Sequence, residues 1–227
     1  MNNLMLNVLM LKPYFLKELG AAMKSNYKRE QILKEVPNSL SQNEVELILN
    51  HFKNECALTG KYHQVSLDHF IPLNWGSTAH KYAIGGNTYA NIIPLDRSIN
   101  SSKNAHNPFI WFERYGEKHG ISIERWHSAI QYIAEKHGMS VFEYKNRVYA
   151  CYSEILAVRW ITHVNSRIEL GASIHFVDIR NALIMNLNIP VVVETLGSIE
   201  TKNAFLDQQT IDLVNQLKAK LEKDTKD

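Results

Sequence analysis

The chain has 227 residues, 45% of them hydrophobic and 21% charged, enough for one sizeable core or a small catalytic module with helical flanks. A formal charge of +2 is compatible with a nucleic-acid partner, and it excludes the strongly basic class whose composition alone announces one. Two cysteines, Cys56 and Cys151, cannot build a disulfide framework, and no apolar run approaches the roughly 20 residues that span a bilayer. A cytoplasmic protein without a membrane partner is therefore expected.

Residues 1–40 read as an N-terminal helical segment, mixed apolar and basic, interrupted at Pro13. Its first residues look briefly like a signal sequence, but they lack a basic leader and run into Lys12-Pro13 without a small-residue cleavage site. Lys24, Lys28, Arg29 and Lys34 read most simply as a solvated helix face, with contact to a DNA backbone as the sharper alternative.

Ser41 and Glu44 form a capping box ahead of Val45, Leu47, Ile48 and Phe52 at helical spacing, which predicts a helix over about 41–54. A tight turn, Cys56 to Gly60, leads to a predicted strand over 63–71, stopped by Pro72. A polar loop follows between Asn74 and Asn87, then a second strand over 88–94. Asp96 or Ser98 caps a helix that runs past Lys103 and is broken or restarted at Pro108. Beyond that point the pattern is helical. An amphipathic stretch ends near Gly116 or Gly120, a helix runs from a Ser122 cap to Gly138, a longer helix covers about 140–168, and 174–187 reads as another helix. Ile189-Pro-Val-Val-Val193 reads as a short extended segment or loop, and the tail from Gln208 as helix.

Residues 67–107 carry the chemistry. Hydrolysis of a phosphodiester needs a group to deprotonate or orient water, charge to neutralise the phosphoryl oxygens, and help for the leaving 3′ oxygen. An imidazole suits the first task at cellular pH, and a hard, oxygen-ligated divalent cation suits the others. Asp68 and His69 are adjacent on a strand, where successive side chains point to opposite faces, so they meet at one phosphate only if the strand ends or twists there. Pro72 makes such an ending reasonable. Asn100 lies near the start of the following helix, where its amide oxygen can reach the same point and the helix N-terminus adds positive potential.

Asp68-His69 with Ile71-Pro72, Asn91-Ile92 with Leu95, and Asn100 with Lys103 together resemble the HNH, or ββα-metal, nuclease motif, in an HNN variant of phage or mobile-element type. The nine-residue separation of Asn91 and Asn100 is that of the HNH domain in RNA-guided CRISPR nucleases. The lead-in from Phe52 to Gly60 resembles that of many phage HNH proteins. The resemblance covers about 40–112 and implies an α+β fold, a small ββα-metal core embedded in a mainly helical protein. The implied division is an N-terminal segment over 1–40, a nuclease core over 41–118 and a helical C-terminal region over 119–227. The implied activity is metal-dependent endonucleolytic cleavage of DNA.

The resemblance also implies roles. His69 would be the general base. Asp68 and Asn100 would hold one Mg²⁺ or Mn²⁺. Asn91 would brace the loop between the strands and so orient His69. Lys103 would sit close to the phosphate, as a contact or an electrostatic aid. Many HNH proteins carry a structural zinc on two Cys-x-x-Cys pairs; the corresponding positions here are Cys56, Thr59, Asp96 and Ile99, so no structural zinc is expected. Lys81 and Arg97 flank the motif as candidate phosphate contacts. Trp75 lies beside it and could touch DNA, although it reads more simply as core. His63, His80, His106 and His119 read as surface or supporting residues. Homing, restriction and packaging-associated nicking enzymes share this core, and duplex cleavage by a single site implies a homodimer or two successive nicks. Cleavage of RNA stays open, because the core would contact backbone more than base. An alternative of a different class is an inactive or regulatory HNH-fold DNA-binding protein.

Overall fold

The computed structural model describes residues 27–224, which form a mostly helical α+β protein with one two-stranded antiparallel sheet. The chain divides into two compact units with the boundary after Val148. The expected helical segment over 1–40 lies outside the described residues up to position 26; residues 27–35 are helical.

In the first unit, α1 (Gln42–His51) starts at the predicted capping box: Glu44 N donates to Ser41 Oγ at 3.3 Å, and Ser41 N donates to the Glu44 carboxylate at 2.8 Å. The chain turns through Cys56–Gly60 into β1 (Val65–His69), which pairs with β2 (Ile92–Asp96) so that Asp68 faces Ile93 and His69 faces Ile92. The second strand begins later than predicted, because Tyr89–Asn91 forms a 3₁₀ turn. The shift has a physical cause. Asn91 spends its side chain on backbone groups of a neighbouring segment instead of continuing a ladder. Nor does β2 alternate, since Ile92 to Leu95 are all buried. Within it, Pro94 faces Leu67, and its carbonyl accepts the Ala57 N–H at 2.8 Å. The segment read as a polar loop holds a 3₁₀ turn (Leu73–Trp75) and a short helix, α2 (Gly76–Lys81).

After β2 come α3 (Arg97–Lys103), α4 (Pro108–Tyr115) and α5 (Ile123–Lys136). Each is capped by a residue that the sequence offers for that purpose: Asp96 accepts from Ser98 N, Asn107 from Phe109 N and Ile110 N, and Ser122 from Arg125 N. The first turns of α6 (Val141–Glu169) complete this unit. Residues 119–148 thus lie with the sheet rather than apart from it. Phe70, fully buried, is 6.3 Å from the Phe109 ring, 6.0 Å from Trp126 and 6.3 Å from Tyr144, while Phe112 stacks on Trp126 at 4.1 Å. This aromatic wall fixes the backbone directly after His69.

The second unit comprises the rest of α6 with α7 (Phe176–Ile184), α8 (Ile189–Leu196), α9 (Ile199–Leu206) and α10 (Gln208–Asp224). Its core gathers Trp160, Ile161, Val164, Ile179, Ala182 and Val193. Trp160 Nε1 donates to Asp178 O at 2.8 Å, and the Asp178 carboxylate pairs with Arg167. The extended segment or loop expected at 189–193 is instead the start of α8. Asn188 caps it, Pro190 occupies the first turn, and Val192 and Val193 are buried, so packing overrides the β-propensity of the valine run. Among the described residues no single helix is long and apolar enough to cross a membrane; α7 and α8 pass that test only as a pair bent by 110°.

Candidate functional site

β1 ends at His69, and that ending lets neighbouring side chains on a strand share one cleft. An open cleft of about 310 Å³ is lined by Asp68, His69, Asn100, Ser101, Asn104 and Arg29, among others. Helix α3 lies across the face of β1 that carries Ser66 and Asp68, which are two residues apart and therefore on the same side. Asn100 Nδ2 donates to Ser66 Oγ at 3.2 Å, and Lys103, three residues on and on the same helix face, reaches Asp68. With Nδ2 held, Asn100 Oδ1 has no hydrogen-bond partner among the described residues.

Lys103 is buried against Asp68 and does not reach the open face of the cleft. Its side chain is 1% exposed, with Nζ 2.9 Å from Asp68 Oδ2, 3.0 Å from His69 O and 3.3 Å from Phe70 O. Two carbonyls accept from Nζ and the Asp68 carboxylate opposes its charge, so the ammonium sits behind the carboxylate and does not line the open face. Burial raises the Asp68 pKa above its ordinary 3.8, with the Lys103 ammonium and the His69 N–H pulling the other way.

His69 Nε2 donates to Asn87 Oδ1 at 2.9 Å, and Asn87 Nδ2 donates to Asn38 Oδ1 at 2.7 Å. Nδ1 is thereby left as the lone-pair nitrogen of the neutral ring. Burial lowers the His69 pKa from 6.5 to about 4, and the positive charges of Arg29 and Lys103 act in the same direction. Asn91 is fully buried and saturated: Oδ1 accepts from Ile71 N at 2.8 Å, and Nδ2 donates to Ile71 O at 2.9 Å and Gly86 O at 2.8 Å. One amide therefore ties the backbone just after His69 to the backbone just before Asn87, its ring partner. Gly86, at φ +77°, belongs to the same construction. A side chain there would place its first carbon 2.8 Å from Pro37 O, where Asn87 N also donates at 2.8 Å.

Asp68, His69 and Asn100 are brought together; the other expected contacts are not in the cleft. Lys81 lies at the end of α2, its ammonium 5.6 Å from the Tyr82 ring, and Arg97 is exposed at the start of α3. The positive end of α3 is not offered to an anion, because Asp96 takes the Ser98 and Ile99 N–H groups. Trp75 is buried, with Nε1 donating to Ala105 O at 3.3 Å. Among the described residues no three His, Cys, Asp or Glu side chains cluster as a metal site. Sequence reading missed Asn38, Ser66 and Asn87, and gave Arg29 only as one of four basic residues on a helix face with DNA-backbone contact as the alternative. Asn38 and Asn87 are 49 residues apart, and no local spacing marks such a contact. No family model, curated protein or solved structure matches this chain.

The low His69 pKa has a consequence for stability. Between 6.5 and about 4 the unfolded chain holds a proton on this ring that the folded one does not, so stability is complete above 6.5 and is lost as pH falls. His137, also depressed by burial, acts with the same sign, while Asp68, raised, acts against it above 3.8. The loss attributable to His69 is on the order of 3 kcal/mol at most. Urea melts in EDTA should show a lower midpoint at about pH 4.5 than at about pH 7; an unchanged midpoint would contradict the partly buried, neutral ring.

Proposed function

We propose that the protein is a metal-dependent endonuclease of the HNH type that hydrolyses DNA phosphodiester bonds at this cleft. The observation that carries the reading is the meeting of Asp68, His69 and Asn100 from two elements in one open cleft. Their donor set fits Mg²⁺ or Mn²⁺. One carboxylate and one unpartnered amide oxygen are hard oxygen ligands, and Mg²⁺ is commonly held by one or two carboxylates with water filling the other positions. Asp68 and Asn100 would hold the ion, which supplies charge neutralisation at the phosphoryl and leaving oxygens when bound.

The chain's own residues do the rest. His69 Nδ1 takes a proton from the attacking water as its oxygen bonds to phosphorus and the bond to the 3′ oxygen breaks. Asn87 holds Nε2–H, so the ring keeps the tautomer that leaves Nδ1 basic. Lys103 holds the Asp68 carboxylate from behind, and Asn91 ties the backbone just after His69 to the backbone just before Asn87.

A plasmid-nicking assay tests the reading. Cleavage should require Mg²⁺ or Mn²⁺ and stop in EDTA. Asp68→Ala and Asn100→Ala should raise the half-saturating metal concentration about tenfold or more. No cleavage of DNA with any divalent ion would sink the proposal, and duplex binding without cleavage would identify a DNA-binding protein on this fold. A parallel RNA substrate separates the two nucleic acids.

A further inference from the structure

Arg29 lies outside the motif, on the helical stretch over 27–35, yet it lines the cleft with Asp68, His69 and Asn100. Among the described lining residues it is the one permanently charged cation. Its side chain is exposed, and among the described residues none takes its donors in a hydrogen bond or ion pair. Lys103, the cation that the motif assigns to the phosphate, is internally committed to one carboxylate and two carbonyls. With Lys103 turned inward onto Asp68, the permanent positive charge lining the cleft is that of Arg29.

We propose that Arg29 is the phosphate-binding side chain of this cleft, gripping the non-bridging oxygens beside the scissile bond. A guanidinium suits the task because its planar fork of five donors matches two phosphate oxygens at once and stays charged at every physiological pH. The assignment rests on the nuclease reading and extends it: the segment before the motif supplies substrate contact, and the Asn38–Asn87 bond ties that segment to the ring partner of His69.

The test uses the full chain as wild type, Arg29→Ala and Arg29→Lys. Duplex binding is followed by fluorescence anisotropy in EDTA, where no cleavage occurs, over about 50 to 200 mM salt, and nicking is followed in Mg²⁺. Arg29→Ala should weaken binding about tenfold at low salt and lower the slope of log K against log salt by about one. It should raise KM more than it lowers kcat, with a melting curve like wild type. Arg29→Lys should keep the slope and recover part of the affinity, since it keeps the charge and loses the fork. Wild-type slope and KM in a normally folded Arg29→Ala would overturn the assignment while leaving the nuclease intact. A wild-type chain that neither binds nor nicks duplex would remove the nuclease reading itself, and Arg29's role with it.

Discussion

Replacing His69 with alanine should slow plasmid nicking by about 10²- to 10⁴-fold while leaving duplex affinity within a few-fold of wild type. The expectation follows from how the ring is held. Its Nε2–H is spent on Asn87, its Nδ1 keeps a lone pair, and its depressed pKa of about 4 means that the ring remains neutral through the cellular range. Nothing in that arrangement contributes charge to phosphate binding, so affinity should survive. Burial in the folded state is partial, and the side chain makes one hydrogen bond, so the fold should also tolerate the change. Added imidazole should restore part of the rate to the variant without altering binding. Equal loss of binding and cleavage, or loss of neither, would contradict the role given to His69.

Lys103→Met should cost stability rather than substrate contact, on the order of 3–5 kcal/mol, read as a large fall in the urea midpoint. Removing the ammonium leaves Asp68 Oδ2 buried with no opposing charge, and two carbonyls, of His69 and Phe70, lose their donor at the same time. A phosphate-contacting surface lysine would behave otherwise: its loss would change the salt dependence of binding and shift stability by no more than about 0.5 kcal/mol. Combining Lys103→Met with Asp68→Asn should recover part of the loss, because a neutral amide is cheaper to bury unpaired than a carboxylate. A Lys103→Met protein as stable as wild type would show that the ammonium does not hold the carboxylate in place.

Local signals made much of the fold legible. Ser41 with Glu44, the restart at Pro108 and Ser122 mark helix starts because these signals are settled within a few residues, and the structure has helices beginning at each. What escaped reading was decided at longer range. The valine run at 191–193 became helix because Val192 and Val193 face the core of the second unit. The start of β2 moved because Asn91 serves a distant backbone. At the site, the residues of the motif could be named because their types and order carry the chemistry, but the direction of a side chain does not follow from order. Lys103 turned inward since the Asp68 carboxylate met its charge and two carbonyls accepted from it, whereas Arg29 had a pattern no different from any solvated helix face until the fold set it over the cleft.

Pro94 has a bearing on how copies of the chain can associate. Its carbonyl points away from β1 to meet Ala57 N, so the position of its missing N–H is on the same outer side of β2. A strand laid along that border would find no donor at 94 and an acceptor already occupied. Ribbon-to-ribbon fusion is thereby disfavoured at this rim, so copies of the chain that associate would have to recruit other surfaces.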